Sequence, residues 1–183
     1  MSERITAITD RAVSREGMAA LGFGLTVLMI AVAGGLLMQS SDSLSDGGPI
    51  LSVTSEPVHA TGDDAYWVRI THDSGDTVDV ANVDVTVTLP EHGKRARLHG
   101  LPTRRLTQDD YRGNHVFERG RGGIDGVIAA PNGSGATLEA GDRIAFRLSR
   151  RRVDLEPGDT VRVTLYHTES ETKLATERIA VVE

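Results

Sequence analysis

The chain has 183 residues, with 20 basic against 26 acidic side chains and a formal net charge of −6, a balance that argues against nucleic acid as the main partner. It holds no cysteine, which excludes disulfide scaffolds, thiolate metal sites and cysteine nucleophiles together. Aromatic residues make up 4% of it and glycine occurs 20 times, so one core of ordinary size, built mainly from Val, Leu, Ile and Ala, is expected, with an appendage.

The first element is the appendage. Residues 11 to 38 read RAVSREGMAALGFGLTVLMIAVAGGLLM, and from Met18 to Met38 there are 21 consecutive residues without a charge. At ~1.5 Å per residue a helix of that length covers the ~30 Å hydrocarbon layer of a membrane. A core helix of a soluble protein would carry a polar stripe, and this run has none. A disposable export signal has an apolar region of only ~7–15 residues and ends in a small-residue cleavage site. Here QSSDSLSDGGP follows instead, so the apolar segment is expected to stay on the finished molecule as a single-pass membrane helix. Gly17, Ala20, Gly24, Ala31 and Gly35 fall within roughly 60° of one another around that helix, a small-residue line along which helices of neighbouring copies can pack closely. Gly and Ala are also common in any spanning helix, which gives the same residues a plainer reading.

Residues 39 to 49, rich in Ser, Asp and Gly and closed by Pro49, have a linker composition. Beyond them the sequence alternates with a period of two. Tyr66, Val68 and Ile70 fall on one face and Trp67, Arg69 and Thr71 on the other; Val83, Val85, Val87 and Leu89 oppose Asp84, Thr86 and Thr88. The same pattern recurs at Ile144, Phe146 and Leu148, at Val161, Val163 and Leu165, and at Ile179 and Val181. With ILSVTSEPV, RARLHGL and NHVFE added, about seven to eight strands are expected. The fold class is mainly β: a hydrophobic N-terminal helix followed, over residues 50 to 183, by an Ig-like antiparallel β-sandwich.

Three turns share one form, SGDTV at 74 to 78, AGDRI at 140 to 144 and PGDTV at 157 to 161. The glycine permits positive φ and the aspartate is expected to bond its own backbone two residues on. Oxygen ligands would also suit calcium at Asp76, Asp142 and Asp159, but no clustered D-x-D-x-D loop accompanies them, and a turn role is expected.

No catalytic constellation emerges. The histidines His59, His72, His92, His99, His115 and His167 show no metal-ligand spacing, so neither metal nor other cofactor is expected. Ser134 lacks the strand and helix of a nucleophile elbow. Asp109 and Asp110 are adjacent and would point to opposite faces of a strand. RGRGGIDG, residues 119 to 126, lacks the Lys-Ser/Thr of a phosphate loop and reads as a loop. Asn132-Gly133-Ser134 is an N-glycosylation sequon in an exported chain, and equally a plain Asn-Gly turn.

Charge is segregated along the chain. Between residues 42 and 84 nine acids face Arg69 alone, whereas Lys94, Arg95, Arg97, Arg104, Arg105, Arg112, Arg119 and Arg121 dominate residues 91 to 121. Arg147, Arg150, Arg151 and Arg152 form a second basic group in sequence. Opposite patches can meet on successive copies in a head-to-tail array; the alternative is two solvated faces screened beyond ~8 Å at physiological salt.

The stretch DRAVS followed by a long Gly/Ala/Val/Leu/Ile run resembles the N-terminus of archaeal type IV pilins and archaellin-like proteins, haloarchaeal ones especially. VRITHDSGDTVDVANVDVTV and LEPGDTVRVTLYH are similar to the exported sandwich of such proteins, while residues 90 to 137 are unmatched. The resemblance implies a leader of residues 1 to 12, cut by a membrane peptidase between Ala12 and Val13 or, alternatively, between Gly17 and Met18, with the helix of residues 13 to 38 retained. It also places Glu16 near a neighbour's terminal amine, as its charge partner. Family members usually run from RAVS into an apolar stretch, and Arg15 and Glu16 stand there in this chain, where they also suit the headgroup layer. The implied function is that of a structural subunit of a cell-surface filament for adhesion or motility, non-enzymatic, its partners being copies of itself or related pilins, and the membrane. The alternative is a membrane-anchored, non-polymerising pilin-like or stator-like protein whose sandwich binds the cell-surface layer or another exported partner.

Overall fold

In a computed structural model, the described residues are 48 to 61, 64 to 129 and 136 to 183. The leader, the apolar helix with Ala12, Val13, Glu16, Gly17, Met18, Ala20, Gly24, Ala31 and Gly35, most of the linker, and Asn132 lie outside them. Ser43–Glu183 form one compact unit. Among the described residues no helix is long and apolar enough to cross a membrane, and the helical segments are three short 3-10 turns.

The described part is mainly β. Its strands are β1 (Leu51–Ser55), β2 (Val58–His59), β3 (Ala65–Gly75), β4 (Val78–Asp79), β5 (Val83–Leu89), β6 (Lys94–Leu98), β7 (Tyr111–Gly113), β8 (Ile124–Gly126), β9 (Thr137–Leu138), β10 (Arg143–Ser149), β11 (Thr160–His167) and β12 (Thr172–Val182). A four-stranded sheet runs in the order β1-β3-β10-β8, a six-stranded sheet in the order β2-β12-β11-β5-β6-β7, and β4 pairs with β9. Every pairing is antiparallel except that of β2 with β12.

The alternation explains the layering. Val68, Ile70, Ile144, Phe146 and Leu148 of one sheet and Val85, Val87, Val163, Leu165 and Ile179 of the other are all buried in a single core cluster. The long strands thereby turn most of their apolar residues toward the opposite sheet and most of their polar residues outward.

Four expectations need correction. Among the described residues the strand count is twelve, because five strands of two or three residues join seven of five or more. ILSVTSEPV is two strands in different sheets, divided at Glu56 and Pro57, since proline has no N–H to offer a ladder. NHVFE is not a strand: Val116 and Phe117 are both buried although adjacent, and only an isolated bridge joins Phe117 to Leu148. Phe117 instead plugs the core, edge-on to Phe146 at 5.7 Å and to Tyr111 at 5.3 Å. The IDG end of the glycine-rich segment, read as a loop, is β8 and pairs with β10.

The Gly-Asp turns also work differently. In the turns at 139 to 142 and 156 to 159 the aspartate accepts from the backbone N–H three residues earlier, Glu139 to Asp142 and Glu156 to Asp159, each at 2.9 Å. Backbone bonds from Asp142 to Glu139 and from Asp159 to Glu156 close the same turns. Gly158 sits in this tight path at φ +103, a conformation glycine adopts without a Cβ clash. Asp76 accepts from the backbone N–H of Ile50 instead, tying the chain ahead of β1 to the end of β3.

Candidate functional site

Antiparallel register decides which charges share a surface. On the outer face of the six-stranded sheet, Arg178 of β12 pairs with Arg162 of β11, Arg162 with Thr88 of β5, and Thr88 with Arg95 of β6. The adjacent row is Thr176, Thr164, Thr86, Arg97 and Arg112. Beyond it Lys173 pairs with Tyr166, and Tyr166 with Asp84. The strand residues of this face therefore bring six cations together with one carboxylate, and Lys173, Arg178, Arg95, Arg97 and Arg112 are exposed.

That carboxylate is committed. Nε and Nη2 of Arg97 both donate to Oδ2 of Asp84 at 2.7 Å, and the Asp84 side chain is only 11% exposed. The Arg97 guanidinium also lies 5.7 Å from the centre of the Tyr166 ring. Arg162 keeps a buried Nε without a hydrogen-bond partner.

The outer face of the four-stranded sheet carries the chain's single tryptophan. Trp67 is directly paired with Arg147, and the guanidinium carbons of Arg69 and Arg147 stand 5.2 Å and 5.3 Å from its ring centre. Arg69 pairs with Glu56 at 3.2 Å and Arg143 reaches Asp125 at 3.7 Å. This face is thus close to charge balance.

The remaining sequence candidates disperse. Arg104, Arg105 and Arg121 line a shallow concavity of about 490 Å³ beside Ala129. Arg147, Arg150, Arg151 and Arg152 do not form one cluster: Arg147 flanks Trp67, whereas Arg150 lies 4.8 Å from the Tyr66 ring and donates to the Ala60 carbonyl. Asp110 accepts from the backbone N–H and hydroxyl of Thr107 in a turn.

Five of the six histidines serve separate local contacts: His59 with the Glu183 carbonyl, buried His72 with the Ser74 carbonyl, His92 with Asp159, His115 with Tyr111, and His167 with Ser170. Among the described residues no group of three or more His, Asp or Glu is placed to hold a metal ion.

Two carboxyls have displaced acidities. The Glu156 backbone N–H, with His92 second, holds Asp159 below the usual aspartate range. Partial burial pushes Glu177 up, against the Ser55 hydroxyl that lowers it, and Asp73 nearby adds to the rise.

Sequence reasoning found Arg95, Arg97 and Arg112 as a basic stretch but missed Arg162, Arg178 and Lys173 as their companions. The signal was present: Arg162 lies between the inward Val161 and Val163, and Arg178 precedes the inward Ile179. Only the strand order brings them beside β6.

No protein-family model matches the chain, and no curated protein matches it either.

Proposed function

We propose that this chain is a pilin-like structural subunit of a cell-surface filament, non-enzymatic, with its β-rich unit on the outside of the membrane. The observation that carries the reading is the 21-residue uncharged run from Met18 to Met38, set directly behind a charged, small-residue leader and ahead of a separate β unit. In this reading a membrane peptidase removes residues 1 to 12 and leaves the helix on the mature protein. Helices of successive copies bundle along Gly17, Ala20, Gly24, Ala31 and Gly35, and Glu16 neutralises a neighbour's terminal amine. Two sheets that share one core, with seven strands of five residues or more, support an Ig-like sandwich as the exposed head. Asn132 is the position at which that head would carry a glycan.

The test is twofold. Mass spectrometry of the mature protein is expected to find Val13, or Met18, at the N-terminus, and an intact Met1 or Ser2 refutes processing. Electron microscopy of sheared cell surfaces is expected to show filaments that contain the chain, lost when Gly24 and Gly35 are both replaced by Leu. A second reading, a membrane-anchored protein that never polymerises, draws support from the basic sheet face, which suits a binding role. Membrane-retained chain on cells without filaments would select it.

A further inference from the structure

Resting on the exported placement proposed above, we infer that the outer face of the six-stranded sheet is a binding surface for an acidic polysaccharide, one that bears carboxylates or sulfates along its length. The face holds six of the chain's 20 basic side chains and, among its strand residues, one of the 26 acidic ones, in a molecule whose net charge is −6. Its sign is opposite to that of the protein as a whole, so composition alone does not produce it.

The arrangement is a plate. Arg178, Arg162 and Arg95 stand in one row across four adjacent strands, and neighbouring strands lie about 4.8 Å apart, so this row extends roughly 14 Å. Arg97 and Arg112 continue the plate in the next row. Five of the six cations are arginines; Arg97 is already held by Asp84, and the planar forks of the other four match carboxylate and sulfate oxygens two at a time. Thr88 places a hydroxyl between Arg162 and Arg95, suited to sugar hydroxyls.

The chemistry of the face selects among polyanions. Single-stranded nucleic acid needs aromatic rings free to stack on bases. The one ring here, Tyr166, already has the Arg97 guanidinium against it. A flat row of forks and hydroxyls instead fits an extended chain of charged sugars.

The experiment uses the full chain in neutral detergent micelles and immobilised polygalacturonate, dextran sulfate and uncharged dextran. Retention on at least one charged polymer, weakening as salt rises, and none on uncharged dextran is expected. The triple variant Arg95→Glu/Arg162→Glu/Arg178→Glu should weaken binding tenfold or more. Arg104→Glu/Arg105→Glu/Arg121→Glu, which changes net charge equally, should leave it within twofold. Trp67 fluorescence reports whether each variant is folded, and Arg95→Lys/Arg162→Lys/Arg178→Lys, with intermediate binding expected, serves if the glutamate variant is not. Equal retention on uncharged dextran, equal loss in both glutamate variants, no retention on either charged polymer, or equal binding by the wild type and both sheet-face variants would overturn the inference. So would a micelle-to-micelle association abolished by the sheet-face variants in place of polymer binding, which assigns the face to a second copy. Because filament assembly is read by microscopy and polymer binding by retention, the two proposals fail separately.

Discussion

Arg97 reaches diagonally across the β5–β6 ladder and sets two nitrogens on one oxygen of Asp84, both at 2.7 Å. The carboxylate is nearly buried and the guanidinium half exposed, so the pair is asymmetric. Arg97→Ala would leave a buried charge without its partner and is expected to cost roughly 1–3 kcal/mol, between the exposed and buried limits for ion pairs. Adding Asp84→Thr to that variant removes the stranded charge and should recover most of the loss. Urea unfolding of the two variants checks this, and a double variant no more stable than Arg97→Ala would contradict it.

Tyr66 is a buried tyrosine with a specific task. Its hydroxyl accepts from the Leu155 N–H at 3.0 Å and donates to the Leu155 carbonyl at 3.4 Å, fastening the segment before β11 to β3. Tyr66→Phe keeps the ring and strands a backbone amide, which predicts a loss of about 1–3 kcal/mol in thermal or urea unfolding. Stability equal to wild type would show that water takes over the bond.

Gly126 closes β8 at φ +72, and a Cβ there would collide with the Arg143 carbonyl. Gly126→Ala therefore meets both backbone strain and a steric clash with a neighbouring strand. Loss of at least roughly 2 kcal/mol is expected, with Arg143 and Ala145 amides exchanging faster than those of β11 by hydrogen exchange. Uniform protection across both sheets would argue that β8 does not hold that edge.

Glu177 supplies a pH signature. Its folded-state pKa lies above the unfolded value of about 4.3, so protonation favours the folded form. Stability from this group is present below that value and is lost as pH rises through the folded pKa. Glu177→Gln should raise the melting temperature near pH 7 and differ little from wild type near pH 4. An advantage that did not grow with pH would exclude burial as the cause.

Asp159 has the opposite sign. Its pKa is lowered by the Glu156 N–H first and by His92, 2.9 Å away, second. Its contribution is present above the ordinary aspartate value of about 3.9 and is lost as pH falls through the folded pKa. Asp159→Ala is expected to cost about 1 kcal/mol at pH 7 through the lost turn bond. Denaturant melts across the acid range should show that cost shrinking, and a constant cost would count against the charge.

The long strands were legible because burial on one face forces period two: the inward residues of β3, β5, β10 and β11 are those that the alternation marks. Two- and three-residue strands carry too few positions for a period, so β4, β7, β8 and β9 were invisible. Phe117 misled because a strongly apolar stretch need not pair to be buried. The basic face was half legible: alternation put each arginine on the outside of its own strand. The order β12-β11-β5-β6, which sets those strands side by side, depends on long-range pairing that no local pattern encodes.

The segment that enters the β unit is fastened twice within a few residues. β1 runs antiparallel to β3 in one sheet, Pro57 follows, and β2 lies parallel to β12 in the other. A pull directed along the axis of β1 would load the rungs joining Val53, Thr54 and Ser55 to β3 together, in shear rather than one by one as in an opening zipper. β2 holds the same stretch of backbone to the second sheet behind β1, so a head tethered at this point would have a second fastening in reserve should the first give way.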